Sequence, residues 1–248
     1  PEPKPESKYQ MTFTTEHPVG KTMWVFLKKD ERPTEVIGAK EIYGENPFDG
    51  GPVAETILGL KLEKQTVTIK GDITYIEFDE PHFTALDVSK NPILEDLRFH
   101  NHYKPIASLD VSKNTALTTL VCKGSQLEEL DVSKNTALQV LSCNENNLTS
   151  LDVSKNTELG SLDCYNNKLT SLDISKNPKL KNLYCYCNQI KTEEMSKLVD
   201  ALPSWPPQTY VLEVSIYPVK PSSPEEQNEI TEEAIKIAED KNWSMIIY

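Results

Sequence analysis

The sequence predicts an α/β solenoid: short coils stacked in series, one long parallel β-sheet on the concave face, a small β-rich unit ahead of them and an α/β unit behind. Three observations predict it. The word LDVSKN begins at Leu86, Leu109, Leu130 and Leu151 and returns as LDISKN at Leu172, a near-constant interval of roughly 21 residues. Leu138, Leu141, Cys143, Asn146, Leu148 and Leu151 keep spacings that recur from Leu159 and again from Leu180. After Ile190 the period stops and helical spacing begins. Self-similarity at a fixed period of this size marks a stacked array.

In chain order, residues 1–8 (PEPKPESK) are rich in Pro, Lys and Glu and read as a flexible leader, left by processing or by an arbitrary boundary. Residues 9–71 alternate in short runs, YQMTFTT and MWVFLKK, and predict a small antiparallel β unit. Val67 and Ile69 in QTVTIKG stand where Leu and Val of LDV stand later, so this unit is expected to merge into the first turn.

Residues 72–190 hold about six turns matching the leucine-rich-repeat signature L-x-x-L-x-L-x-x-N/C-x-L. The alternation in L-x-C makes a short strand with Leu and Cys inward, and successive strands pair in parallel about 4.8 Å apart. One turn buries too little apolar surface to offset its own ordering, so stacking must supply the rest. Asn146, Asn167 and Asn188 fall where the chain leaves the strand, and their amides are expected to satisfy turn backbone in neighbouring coils. Pro81 and Ser125 replace that Asn upstream, and HNHYKP lengthens its turn, which makes the first interval the longest, so the ladder is expected to weaken there. In LDVSKN, Leu and Val point inward while Asp, Ser and Lys face out or cap the turn. Five Asp and five Lys should then form adjacent columns of weak ion pairs.

Residues 191–248 predict α-β-α-β. Thr192 is expected to cap a helix carrying Met195, Leu198, Val199 and Leu202 on one face and ended by Pro203. TYVLEVSIY reads as a strand. Ser223, Pro224 and Glu226 form a capping box for a second helix with an Ile230, Ala234, Ile237 and Ala238 stripe, and SMIIY closes as a short strand.

Cys122, Cys143, Cys164 and Cys185 recur at the same interval and fall in one inward column. In-register strands hold side chains parallel at about 4.8 Å, whereas a disulfide needs Cβ atoms about 3.8 Å apart with a twisted S–S bond. Free buried thiols are expected, with Cys187 half exposed. A formal charge of -12 argues against nucleic acid or an anionic membrane surface as partner. Half of it is local, since residues 191–248 carry five Lys against eleven acids, a net of -6. No apolar run is long enough to span a bilayer.

LDVSKNTALxxLxCxxNxL, preceded by TVTIKGDITYIEF, resembles the leucine-rich-repeat proteins secreted by or displayed on Bacteroides-type bacteria, and more loosely the internalins. The resemblance covers roughly residues 66–190. It implies an extracellular or outer-surface interaction protein, its signal or lipoprotein segment removed, rather than an activity. HNHYKP, Pro81 and Ser125 depart from the pattern, so a shared ligand does not follow.

No G-x-S-x-G, H-E-x-x-H, P-loop or G-x-G-x-x-G motif is present, and no cofactor or metal is expected. His100 and His102, near Asp96, Arg98, Glu77 and Asp79, form at most a weak acid/base or metal cluster, because two His at i and i+2 lack a fixed third ligand. The outward columns of the sheet carry more information. One reads Glu77, Arg98, Val121, Ser142, Asp163, Tyr184 and the other Asp79, His100, Lys123, Asn144, Tyr165, Tyr186. Arg98, His100, Asp163, Tyr165, Tyr184 and Tyr186 are the candidate ligand contacts. A non-enzymatic module binding a host or neighbouring-cell protein is expected, with glycan stacking on the three tyrosines as the alternative and packing of those rings on the C-terminal unit as the competing structural role.

Overall fold

The computed structural model describes residues 7–28, 31–42, 55–205, 213–215 and 228–245. Its spine is a parallel ladder of β7 (Tyr75–Phe78), β9 (Asp96–His100), β10 (Thr119–Lys123), β11 (Val140–Ser142), β12 (Ser161–Asp163), β13 (Asn182–Tyr184), β14 (Glu213–Ser215) and β15 (Ser244–Met245). Pairing is in register, with Leu97, Leu120, Leu141, Leu162 and Leu183 side by side. Beneath them runs a second buried column: Phe78 and Phe99, then Cys122, Cys143, Cys164 and Cys185. All four of these thiols are free and buried, and Cys187 is half-buried. Burial alone pushes the Cys122 thiol up to about 12, and burial chiefly raises Cys143 and Cys164 as well, so these three offer no thiolate near neutrality.

Ahead of the coil lie β1 (Gln10–Thr15), β2 (Thr22–Lys28), β3 (Glu35–Ile37), β4 (Ala39–Ile42), β5 (Glu55–Leu62) and β6 (Thr66–Lys70). Antiparallel β2, β5 and β4 extend the ladder past β7. The rest form a second sheet in the order β3-β6-β1-β8, where β8 (Phe83–Asp87) carries the start of the first LDV. Val67 and Ile69 are buried as expected, but they do not stack on Leu86 and Val88. Strand β1 lies between, pairing Phe13 with Val67 on one side and Leu86 on the other. Phe13, Phe78, Phe83 and Phe99 fill the space between the sheets with ring centroids 4.9 to 5.5 Å apart.

Two amide ladders join the turns. In the first, Asn146, Asn167 and Asn188 donate Nδ2 to the Cys carbonyl of their own turn and to that of the turn before. Their Oδ1 atoms accept backbone N–H groups from the preceding turn: Leu127, Leu148 and Leu169 at 3.0 Å. Asn228 continues the series, bonding Cys185 O and Ile190 N. The Ser125 hydroxyl reaches only Lys123 O in its own turn, so the side-chain rung is missing there, and the Ser125 backbone carbonyl accepts the Ile106 N–H of the preceding turn at 3.1 Å instead. Upstream the expectation needs correction. Asn101, off register with the later series, holds both Phe83 N and Phe83 O, and the extra length of its turn accommodates the shift.

The second ladder is the Asn of LDVSKN itself. Asn114, Asn135, Asn156 and Asn177 are fully buried, and each donates Nδ2 to two carbonyls of the turn before, those of a Val and of the preceding Asn. The Asp of the word accepts the N–H of the Ser two residues on, at 2.8 to 2.9 Å in every copy. Hydrogen bonds from that Ser hold all five carboxyls below the usual range. Among the described residues no close ion pair joins these Lys to these Asp, and each Lys only adds a weaker electrostatic pull on the Asp of its own word. The Asp serves as a turn-forming acceptor.

Behind the coil, α1 (Thr192–Ala201) buries Met195, Leu198 and Val199. Its N-cap is Lys191 and no side chain caps it. Thr192 lies inside the helix, and its hydroxyl bonds Glu229. Lys241 supplies a cation at the C-terminal end, donating to Val199 O, Asp200 O and Leu202 O. Helix α2 (Glu232–Asp240) starts late: residues 228–231 are not helical, and Thr231 caps the helix by accepting Ala234 N–H. The expected Ser223 capping box and most of TYVLEVSIY and SMIIY lie outside the described residues.

The two ladders differ in what their loss exposes. Asn167→Ala orphans the Leu148 N–H and is expected to cost about 3 kcal/mol, whereas Asn156→Ala removes bonds from carbonyls that keep another donor and should cost about 2 kcal/mol. Urea denaturation of both variants checks the order. With a thiol reagent, Cys187 should react first and the other four cysteines only on unfolding.

Candidate functional site

Strand register fixes the solvent-side face. Residues 77, 98, 121, 142, 163 and 184 are direct cross-strand neighbours, so the first expected column exists. His100 pairs beside Lys123 in the second, and Asn144, Tyr165 and Tyr186 follow where the chain leaves each strand. Backbone bonds from Glu145 N to Tyr165 O and from Asn166 N to Tyr186 O keep the turns aligned beyond the strands.

The six candidate residues do not form one cluster. Tyr165 and Tyr186 stack face to face, 4.4 Å between centroids and 5° from parallel. Tyr184 stands next to Asp163 in the adjoining column, and β14 continues the sheet beyond it. The stack takes up the facing side of each ring, which leaves less of the flat surface that a sugar would need. Toward the other end, Arg98 is held by Asp96 through two bonds of 2.8 and 2.9 Å, which with its contact to the Tyr75 ring fixes the guanidinium along the sheet. His100 lies against His102 with centroids 4.2 Å apart, bordering a hollow of about 300 Å³ shared with Phe26, Glu77, Asp79 and Glu80. Among the described residues no group of three or more His, Cys, Asp or Glu is placed to hold a metal ion.

Two carboxylates organise the middle of the face. Glu145 receives Lys123 Nζ at 2.9 Å and the Tyr165 hydroxyl at 3.1 Å. Burial works to raise its carboxyl, but bonds from Tyr103, Lys123 and Tyr165 outweigh that and hold it low. Sequence reasoning missed Glu145, whose place in the pattern is an unremarkable x. It occupies the left-handed turn position, φ 58°, ahead of Asn146, and this conformation turns its side chain toward Lys123. Beside it a groove of about 650 Å³ is lined by Tyr103, Gln126, Asn147, Asn166 and Gln189. Asp163 is largely buried. Its Oδ2 accepts Ser142 Oγ at 3.3 Å, and its Oδ1 is out of contact with solvent. Burial pushes this carboxyl up to about 6, against the pull of Ser142, Lys123 and the Tyr165 backbone.

Residues 165–182 match the leucine-rich-repeat family model. Among solved structures, internalin InlF of Listeria monocytogenes aligns at TM-score 0.52 and 18% identity, over 72% of this chain and 49% of its own. The functional domain of InlJ from the same species, described as including a cysteine ladder, aligns at 0.48 and 25% identity, over 70% and 45%. Internalin C2, also from L. monocytogenes, aligns at 0.48 and 13%, over 71% and 81%. This chain thus spans less than half the length of the InlF and InlJ chains. No curated protein matches the sequence. The fold is a parallel β-solenoid of the leucine-rich-repeat kind.

An unfolded Asp titrates at about 3.9. With the folded carboxyl near 6, the native state binds the proton more readily, so this group's contribution to stability falls as pH rises from about 4 to about 6. Asp163→Asn should therefore be more stable than the parent by about 2 kcal/mol at pH 7, a figure reduced for partial exposure, and equal to it at pH 3.5. Urea denaturation at both pH values reads the difference.

Proposed function

We propose that this chain is a non-enzymatic recognition module that binds a protein of a host or neighbouring cell through the solvent-side, concave face of its sheet. Under this reading it acts outside the cell or on the outer surface of a bacterium of the Bacteroides type, with residues 9–71 and 191–248 closing the two ends of the coil. One observation carries the proposal. Inward positions repeat the same Leu, Cys, Asn and Val, whereas their outward neighbours read Glu, Arg, Val, Ser, Asp and Tyr, so the frame dictates the former and leaves the latter to be chosen by what they touch.

The tyrosines supply the hydrophobic part of the contact. Half-buried rings on a strand or directly after one lose little rotamer freedom on binding, which is why such residues carry much of the energy of interfaces. Arg98 and Lys123 are already engaged by Asp96 and Glu145, so the acidic groups of the face are left to set its sign. Buried thiols with raised pKa resist oxidation, which suits an oxidising exterior. No described helix is long and apolar enough to cross a membrane. The glycan alternative gains nothing from the stacked pair Tyr165 and Tyr186.

Affinity capture from host-cell surface extracts, with a glycan array in parallel, tests the reading. For a captured protein, Tyr184→Ala is expected to weaken binding about 30-fold, roughly 2 kcal/mol, while Lys134→Ala on the opposite side changes it less than about twofold. Equal losses from both variants, or saturable glycan binding lost on Tyr184→Ala, would move the site or the ligand class.

A further inference from the structure

The chain contains four histidines, and all four meet in one row. His17 stacks on His82 at 4.5 Å, His82 meets His102 edge to face at 5.7 Å, and His102 stacks on His100 at 4.2 Å. They come from separate pieces of chain: the turn after β1, the turn between β7 and β8, the end of β9 and the turn that follows it. The row therefore crosses the joint where the N-terminal strands meet the coil. Around it the backbone is held in unusual shapes, with positive φ at Glu80, His82, His102 and Tyr103. The same joint is tied by Thr15 Oγ1 to Pro81 O at 2.6 Å, Glu16 N to His82 O at 3.0 Å and His17 Nε2 to Glu80 O at 2.7 Å. At the far end Gly124 makes room, since a Cβ there would sit 2.9 Å from His100 Cδ2.

We propose that this imidazole row is an acid-sensitive latch: neutral, its rings pack and clamp strand β1 to the first turns of the coil; protonated, they repel one another and release that strand. Neutral imidazoles stack at these distances, whereas adjacent imidazolium rings place like charges within about 6 Å. The charged groups facing the row do not cancel this. Lys104 lies 3.0 Å from Glu16, and Lys123 lies 2.9 Å from Glu145, so both pairs are neutral overall. Glu80, 3.6 Å from His102 Nε2, and Glu145, 3.9 Å from His100 Nε2, favour a proton on the rings beside them. Asp79 stands near His102, with Glu77 and Lys21 beyond it, and burial raises the Asp79 carboxyl, which weakens its help on acidification. Against these, burial first, then His17, His102 and Lys104, lower the basicity of His82; burial first, then His102 and Lys123, lower that of His100.

The direction in pH follows. His82 and His100 bind protons less readily folded than unfolded, so their contribution to the joint is complete above the unfolded value of about 6.5 and declines as pH falls below it. Asp163 titrates in the same window with the opposite sign, but it belongs to β12, four strands along the sheet from β7, so a local measurement separates the two. The latch does not depend on what the face of the sheet binds.

Hydrogen exchange of the full chain at pH 7.5 and pH 5.5, corrected for intrinsic rates, tests it. Amides of β1 and β8 should lose at least tenfold protection at pH 5.5 while those of β11 to β13 change less than threefold; equal protection at both pH values overturns the proposal. His82→Gln, which keeps a planar polar side chain without the titration, should abolish the difference, and a response that survives this variant overturns it too. Should the variant fold poorly, NMR titration of the four imidazole Cε1–H signals in the parent chain decides. Mutually dependent curves with lowered midpoints are expected for His82 and His100, and independent curves with the midpoint of free imidazole at these two would refute the latch.

Discussion

Asn146, Asn167, Asn188 and Asn228 each span a gap that the backbone cannot close. Every coil turns sharply after a short strand, and the turn leaves N–H and C=O groups pointing into a buried interior. One side-chain amide, donating to the Cys carbonyl of its own turn and to that of the turn before and accepting an N–H from the turn before, satisfies both coils at once. Because each amide belongs to one turn and bonds to another, no coil is complete without its neighbour. On the other side of the core, Asn114 to Asn177 repeat the arrangement with carbonyls alone. The fold is thus held by two seams of hydrogen bonds and a buried column of Leu, Val and Cys.

From this constraint the rest of the molecule follows. Side chains that complete a seam or fill the column are fixed in type, and those on the outer face of the sheet are free to differ. The inward column carries Cys in the regular turns and Phe78 and Phe99 where β1 and β8 bring Phe13 and Phe83 against it. At Ser125, with no amide to give, the seam loses its side-chain rung and is carried by backbone groups. Ser125 falls between the part of the coil joined to the N-terminal strands, where the histidine row lies, and the regular turns that carry the tyrosines.

Much of the fold was legible in the sequence because repetition makes a structural demand visible: a residue that returns with every period has to answer the same need each time. The Leu and Cys columns, the first amide ladder, the free thiols and the outward columns all came from that reading. The Asn of LDVSKN escaped it, since its backbone partners lie in another turn and the word by itself does not show them. Asn101 and Asn228 escaped it because they act from irregular segments where no period applies. Glu145, the organising carboxylate of the face, gave no signal, for its role comes from a left-handed turn and from Lys123 one coil away. His17 lies far from His82, His100 and His102 in sequence, and only the antiparallel insertion of β1 between β6 and β8 brings it to the others.

In-register stacking of the coils is open to direct observation through the sulfurs. Anomalous scattering from a crystal of the native chain should place the sulfurs of Cys122, Cys143, Cys164 and Cys185 in a single row at intervals of about 5 Å. Sulfurs scattered through the molecule, or joined in pairs at bonding distance of about 2 Å, would contradict the stacked coil and the amide seams with it.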